Sequence, residues 1–195
     1  MPASQPKIFA AVLAAGSSTR FGATKQAIEL DGIPLVVRAT ATAAAVCDDR
    51  VVTVIGHDWQ TLLGLLQPYS GFVVVNEDHA QGLGTSIASA ARACRPHADA
   101  LLLLLADQPL ITTQHLEALI DSWSGADDEI VASSYAGTEG PPVLFAGAAV
   151  RELVALKGDR GAHALFYDSR FTLKTVRFDA AAIDIDTPED LATLT

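Results

Sequence analysis

The sequence predicts an α/β fold: a doubly wound, mostly parallel central sheet in three layers, with helices on both faces. Three observations predict it. Short apolar runs alternate with longer segments of helical composition as far as Trp123. One run, Ala100 to Leu105, is unbroken, as expected of a central parallel strand buried on both faces. The chain has 195 residues, half of them hydrophobic, which is enough for one well-buried domain and not comfortably for two. Such alternation implies right-handed crossovers.

In order, Ile8 to Leu13 is an apolar run that reads as the first buried strand. It breaks into small residues and then into Arg20, Gly22 and Lys25. Ala27 to Leu30 is a short segment, closed by the turn Asp31-Gly32. Pro34 suits the first position of a helix that its alanine-rich continuation carries to Cys47. Val51 to Ile55 is a strand, and Asp58 is placed to cap a helix through Leu66 that ends near Pro68. Phe72 to Val75 is a third strand, and Ser86 to Cys94 is a helix opened by Gln81 to Thr85. After the central strand, Thr113 is placed to cap a helix running to Trp123.

The second half is less regular. Ile130 to Ser134 and Val143 to Phe145 read as strands around a turn-like stretch, Tyr135 to Glu139. Helices are expected at about Ala148 to Leu156 and Arg160 to Tyr167. Phe171 to Arg177 is a further strand, the candidate for an antiparallel course in the C-terminal half. Thr187-Pro188-Glu189-Asp190 opens a last short helix: Thr as cap, Pro at its first position, acids in its first turn.

Composition excludes several classes. Only 18% of residues are charged and mean hydropathy is positive, which argues against disorder. A formal charge of −10 repels nucleic acid and anionic membranes at long range, so neither is expected as a partner. Cys47 and Cys94 lack C-x-x-C spacing and read as buried thiols in a reducing compartment. The N-terminus is short and polar, unlike a signal peptide, and Ala100 to Ala106 is too short to span a bilayer. A cytoplasmic location is expected.

The chemistry gathers in a few places. Small residues after the first strand let a ligand approach the backbone, and successive N–H groups in such a turn bind anions. With Arg20 and Lys25 they make a candidate phosphate site at the carboxyl end of a strand, where open α/β sheets bind ligands. The plain alternative is a strand-to-helix turn with two solvated cations. Neither G-x-x-x-x-G-K-S/T nor G-x-G-x-x-G is present, so the loop is not a P-loop or a dinucleotide fingerprint. Asp107 directly follows the central strand, placed to hold Mg²⁺ over a triphosphate or, more plainly, to cap the next helix. Asp184 and Asp186 are two apart, on one face if the segment is extended, where they repel unless a cation or donor lies between them. The plain reading of that pair is a solvated edge.

A resemblance adds to this. Leu13-Ala14-Ala15-Gly16-Ser17-Ser18-Thr19-Arg20-Phe21-Gly22, followed by Lys25, resembles the L-A-A/G-G-x-x-x-R-M/F-G-x-x-K opening of the nucleotidyltransferases. That group includes the molybdopterin cytidylyl- and guanylyltransferases and the sugar-phosphate nucleotidyltransferases. The likeness runs from Lys7 to Leu194 and is strongest to the molybdenum cofactor cytidylyltransferases. It implies a Rossmann-like nucleotidyltransferase fold over residues 1–195. Residues 1–110 would then form a nucleotide-binding half and 111–195 an acceptor-binding half.

What the resemblance implies can be carried over residue by residue. Ala106-Asp107-Gln108-Pro109 is similar to the family's metal-binding D-x-P, and Asp184 to Asp190 is similar to its D-x-D/N-T-P-E-D/E segment. These make Asp107 and Asp186, with Asp184 beside them, the metal ligands. Mg²⁺ is the expected ion, with Mn²⁺ as a substitute. Arg20 and Lys25 join Asp107 as catalytic residues. Leu13, Ala14, Ala15, Gly16, Ser17 and Ser18 are expected at the nucleotide, as are Asn76, Gly82, Thr85 and Ser86, whose segment looks like the family's N…G-L/M-G/S-T/S-S loop. Gly140-Pro141-Pro142 and Gly158-Asp159-Arg160-Gly161 look like acceptor-side segments of the cytidylyl branch, which makes Gly140, Pro142, Gly158, Asp159, Arg160 and Gly161 acceptor-binding. One departure is His163, where relatives often carry Arg. Lys157 or Arg160 would have to compensate.

Ala15 stands where the guanylyl branch usually has a second Gly, and A-D-Q-P replaces G-D-M-P. Both point to CTP over GTP, with a molybdopterin-type acceptor and a molybdenum hydroxylase apo-enzyme or its chaperone as the recipient of product. The competing readings are a guanylyltransferase and a nucleotidyltransferase for a sugar, polyol or deazaflavin-precursor phosphate. A non-catalytic maturation partner fits less well, since it has no need of Arg20, Lys25, Asp107 and Asp186 together. His57, His79, His97 and His115 show no ligand spacing and read as surface residues, and Trp59 and Trp123 as packing groups.

Overall fold

The computed structural model describes residues 6–16, 21, 23–69 and 71–194. Ser17, Ser18, Arg20 and Gly22 of the first loop lie outside the described residues.

The chain opens with β1 (Ile8–Ala14), buried along its whole length. A small ladder, β2 (Glu29–Leu30) and β3 (Ile33–Pro34), follows a single 3-10 turn at Lys25–Ala27. Next come α1 (Leu35–Cys47), β4 (Val51–Ile55), α2 (Trp59–Leu66), β5 (Phe72–Val75) and α3 (Leu83–Cys94). The central strand is β6 (Ala100–Leu105), followed by α4 (Thr113–Ser122), β7 (Glu129–Tyr135) and β8 (Thr138–Ala146). The chain closes with α5 (Gly147–Leu153), a 3-10 segment at Ala162–Tyr167, β9 (Thr172–Arg177), a further 3-10 turn at Asp179–Ala182 and α6 (Pro188–Ala192).

Seven strands form one sheet in the order β5-β4-β1-β6-β8-β7-β9. Alternation within strands builds the two faces. Ala10, Val12 and Ala14 of β1 pack with Leu102 and Leu104 against α1, α2 and α4. Phe9, Ala11 and Leu13 pack with Leu101 and Leu103 against α3 and α5. Both faces are covered, which is why β6 reads as an unbroken apolar run. The strands that follow β1 are laid first on one side of it, at β4 and β5, and then on the other, at β6. The order therefore reverses between β1 and β6, and a crevice opens at their carboxyl ends. Cys47 and Cys94 are buried on opposite faces, and burial pushes their thiols up to about 11 and about 12.

The antiparallel strand is β8, not the segment from Phe171. It runs against both β6 and β7, whereas β9 pairs with β7 in parallel. The β7–β8 hairpin reverses the chain, and the passage through α5 and the 3-10 segment reverses it again. The hairpin turn is shorter than the polar stretch implied. Tyr135 and Thr138 pair, leaving Ala136 and Gly137, both at positive φ, as a two-residue loop.

Other boundaries move for local reasons. Pro34 precedes α1, because pairing with Glu29 holds it extended at ψ 140°. The cap of α4 is Thr112, whose hydroxyl accepts from the His115 N–H. Asp58 stands at the N-cap of α2 in a left-handed conformation. Its carboxylate accepts from the hydroxyls of Thr24 (2.6 Å) and Thr61 (2.9 Å) rather than from helix amides. The segment at Arg160 becomes helical only at Ala162, as a 3-10 turn. Helix α3 starts at Leu83, three residues earlier than the apolar pattern suggests, because the backbone breaks at Gly82 (φ 117°). At the C-terminus the Thr187–Asp190 capping box forms with Pro188 in the first turn, as expected.

Candidate active site

A cavity of about 500 Å³ lies at the carboxyl ends of β1 and β6. Leu13, Ala15 and Gly16 line it from the end of β1, whereas Ala14 points into the opposite core. Gln26 donates through Nε2 to the Gly16 carbonyl (3.1 Å) and holds the start of the first loop against the Lys25 turn.

Lys25 occupies the centre of the charged wall. Its Nζ donates to Asp107 Oδ2 at 2.7 Å and to Asp186 Oδ1 at 2.8 Å. Burial works against the ammonium charge, but the pull of Asp107 and then Asp186 outweighs it and holds Lys25 above the usual lysine range. Asp107 lies two residues past the end of β6, and its other oxygen, Oδ1, is buried with no hydrogen-bond partner. An unsatisfied buried carboxylate oxygen is costly, and one at a ligand cavity marks a place for a cation or donor.

Asp186 reaches this point from the far end of the chain. Two tethers hold its segment: the Ile185 N–H donates to the Asp107 carbonyl (2.9 Å), and Gln108 Nε2 donates to the Ala181 carbonyl (2.8 Å). On the other side the Asp190 carboxylate accepts from the Asp186 and Thr187 N–H groups. Asp184 and Asp186 do not share a site. Asp186 lines the cavity, while Asp184 is exposed and takes no part in its lining. Partial burial, then the charges of Asp186 and Asp107, push the Asp184 carboxyl upward. Among the described residues, no three acid, His or Cys side chains cluster as a metal cage.

The opposite wall comes from the start of α3 and the turn before it. Gly82, Leu83 and Ser86 face the cavity. Asn76 and Thr85 stand behind them: Asn76 Nδ2 donates to Thr85 Oγ1 (2.8 Å) and Ser86 Oγ (3.0 Å). These two residues brace the wall rather than form its surface.

The loop 157–161 packs on this same wall. A Cβ on Gly82 would meet the Asp159 carboxylate, and one on Gly84 would lie 2.5 Å from the Arg160 carbonyl. Asp159 therefore lines the cavity that Lys25 lines, while Arg160 is exposed and Gly161 faces open space. Gly140 lies beneath the Tyr135 ring, and the Pro142 carbonyl accepts from Ser133 Oγ (2.7 Å). Gly140, Pro142, Gly158, Arg160 and Gly161 are not part of the cavity wall. His163 is exposed, its ring 5.2 Å from those of Phe166 and Tyr167.

Two histidines differ from their sequence reading. His79 lines the cavity, its side chain pressed on Gly56, where a Cβ would lie 2.6 Å from the His79 Cβ. Its Nδ1 is buried and has no hydrogen-bond partner. The adjacent Gly56 was the available signal, since a bare backbone leaves room for a ring. His115 is buried in the core, stacked on Phe178 at 4.2 Å, with Nε2 2.7 Å from Ser133 Oγ. Ser133 gives its proton to the Pro142 carbonyl, so His115 Nε2 is the donor in that contact. Burial pushes His115 down to about 4.

Residues 10–174 match the model of the MobA-like NTP transferase domain. The chain belongs to that family. Purine catabolism protein PucB of Bacillus subtilis is 31% identical over 203 residues, covering 95% of this chain and 94% of that protein. A probable molybdenum cofactor guanylyltransferase of Synechococcus elongatus is 36% identical over 110 residues, covering 56% of this chain and 55% of the relative. Rv0371c from Mycobacterium tuberculosis superposes with a TM-score of 0.83 at 27% identity, covering 97% of both chains. Its manganese complex superposes with a TM-score of 0.76 at 25% identity, covering 96% of this chain and 97% of that one. The MobA-like chain is thus a nucleotidyltransferase with the α/β fold of its relatives. Among its described residues, no helix is long and apolar enough to cross a membrane.

Proposed function

We propose that this MobA-like nucleotidyltransferase moves CMP from CTP to the terminal phosphate of molybdenum-loaded molybdopterin and releases pyrophosphate. The observation that carries the reading is the Lys25 ammonium, held between Asp107 and Asp186 in the wall of one cavity. Two carboxylates, one from the middle of the chain and one from its C-terminal end, converge there with a lysine from its N-terminal end, an arrangement suited to phosphate chemistry.

The residues fit Mg²⁺ or Mn²⁺. Asp107 and Asp186 are hard oxygen donors, and Asp107 Oδ1 is buried without a partner. Mg²⁺ needs only one or two carboxylates where substrate phosphates complete its shell. When bound, the ion would neutralise charge on the reacting phosphates.

The reaction needs no protein nucleophile. An ionised acceptor-phosphate oxygen forms a bond to the α-phosphorus in line, and the bond to the β-phosphate oxygen breaks, its electron pair leaving with pyrophosphate. The protein positions these groups and offsets developing charge. Lys25 supplies a cation to the phosphates. Backbone amides from Ala15 onward cradle them, with Ser17, Ser18 and Arg20 assigned to the triphosphate by resemblance. Leu83 and His79 wall the part of the cavity we assign to the base. Asp159, in that same wall, is an acceptor for amino or ring N–H groups of the base or the pterin.

Ala15 supports the pyrimidine. It lines the cavity at the position where the guanylyl branch usually has a second Gly. The likeness to a guanylyltransferase favours GTP instead. Pyrophosphate release with molybdenum-loaded molybdopterin and Mg²⁺ separates the two. Release with CTP alone supports the proposal, release with GTP alone reverses the base assignment, and release with neither removes the acceptor.

A further inference from the structure

We infer that Gln108 is a positioning residue of this site: it docks the C-terminal segment beside Asp107, so that Asp186 reaches Lys25, and it takes no part in choosing the base. The inference rests on the assignment of Asp107 and Asp186 to the reacting phosphates. Gln108 is 6% exposed and does not line the cavity, although Asp107 before it does. Its Nε2 donates to the Ala181 carbonyl at 2.8 Å and to the Pro141 carbonyl at 3.2 Å, across 73 and 33 positions of sequence. Both partners are carbonyls, so they need a donor, and neither an ionised carboxylate nor a thioether supplies one.

Asp107 and Gln108 thus hold the end of the chain at two successive points. The Gln108 amide takes the carbonyl of Ala181, whose side chain is buried in the core, and the Asp107 carbonyl takes the Ile185 N–H at 2.9 Å. Residues 182–184, between these points, are exposed, so packing does not fix their path. Without the amide, the turn at Asp179–Ala182 loses its tie to the Asp107 corner, and so does β8 at Pro141. Asp186 is then set from one side only, and a misplacement on the order of 1 Å at a reacting centre costs about 10² in rate. A methionine here, as in G-D-M-P, has no donor for either carbonyl. The Gln of A-D-Q-P therefore acts on the carboxylate wall and stands away from the nucleobase.

The test compares wild type with Gln108→Met and Gln108→Glu, by amide hydrogen exchange without nucleotide and by steady-state transfer with CTP and with GTP. In variants with native circular dichroism, the Ile185 amide is expected to exchange about tenfold faster relative to the β6 amides, the effect of one lost hydrogen bond. The turnover number is expected to fall by about 10², with KM for the nucleotide within a few-fold and the preference between CTP and GTP unchanged. An equal change at Ile185 and in β6 overturns the inference, because it reports loss of the whole fold and not of a local dock. So does wild-type turnover, or a changed base preference. Should neither variant fold, the wild type decides: the Gln108 side-chain NH₂ is expected to be protected from solvent exchange, and free exchange overturns the dock. Wild-type enzyme that transfers no nucleotide overturns the reaction assigned above, and Ile185 exchange in the variants then decides the docking role separately.

Discussion

The backbone N–H of Ile185 donates to the Asp107 carbonyl at 2.9 Å, and this bond docks the last stretch of the chain on the end of the central strand. The Ile185 side chain is fully buried with Leu30 and Leu35, which fixes the rotation of the segment. Asp186 then lands on Lys25, and Asp184 does not face the cavity.

Asp186→Asn is accordingly expected to lower the turnover number by about 10²–10³, the usual cost of one contact to developing charge. Asp184→Asn is expected to stay within a few-fold of wild type. Steady-state pyrophosphate release measures both, and equal losses would return Asp184 to the site.

The loop 157–161 sits on α3 through the Gly84 N–H, which donates to the Gly158 carbonyl at 2.8 Å. A Cβ at Gly84 would lie 2.5 Å from the Arg160 carbonyl and 2.8 Å from that of Gly158, both backbone atoms. Gly84→Ala therefore pushes the loop away. A loss of about 1–3 kcal/mol is expected, as for other overpacked sites. Because the loop carries Asp159 into the cavity wall, KM is expected to rise as well. Thermal unfolding and substrate titration read the two effects.

His115 makes stability depend on pH. Its folded pKa is about 4 against 6.5 when unfolded, so the unfolded chain binds the extra proton between these values. Stability is at its plateau above about pH 6.5 and falls as pH drops toward 4, by up to about 3 kcal/mol from this residue alone. Urea unfolding at pH 7 and pH 5 should show the decline, and His115→Phe should flatten it.

Much of the fold was legible because its strands are strong apolar runs, the central ones buried on both faces and the edge strand Phe72–Val75 apolar although exposed. Val51–Ile55, Phe72–Val75 and Ala100–Leu105 are strands with the bounds that hydrophobicity suggests. The direction of β9 was not legible, since the Phe171 to Arg177 pattern says nothing of which neighbour it pairs with. At the site, Lys25 and Asp107 stood out by motif, but their 2.7 Å contact spans 82 residues and has no local signature. The resemblance put Asp186 ahead of Asp184, but their spacing alone did not separate them, because what separates them is the docking of Ile185. Asn76 and Thr85 belong to a polar motif whose members split between the cavity face and the layer behind it. His115 looks like any helix-start histidine until Phe178, from 63 positions on, stacks over it.

The most direct measurement is the mass of the pterin product after incubation with CTP and Mg²⁺, for wild type and Asp107→Asn. The account predicts that wild type adds one CMP to molybdenum-loaded molybdopterin and that the variant, with its fold intact, adds almost none. Equal product from both, or a pterin that gains no nucleotide from either CTP or GTP, would contradict it.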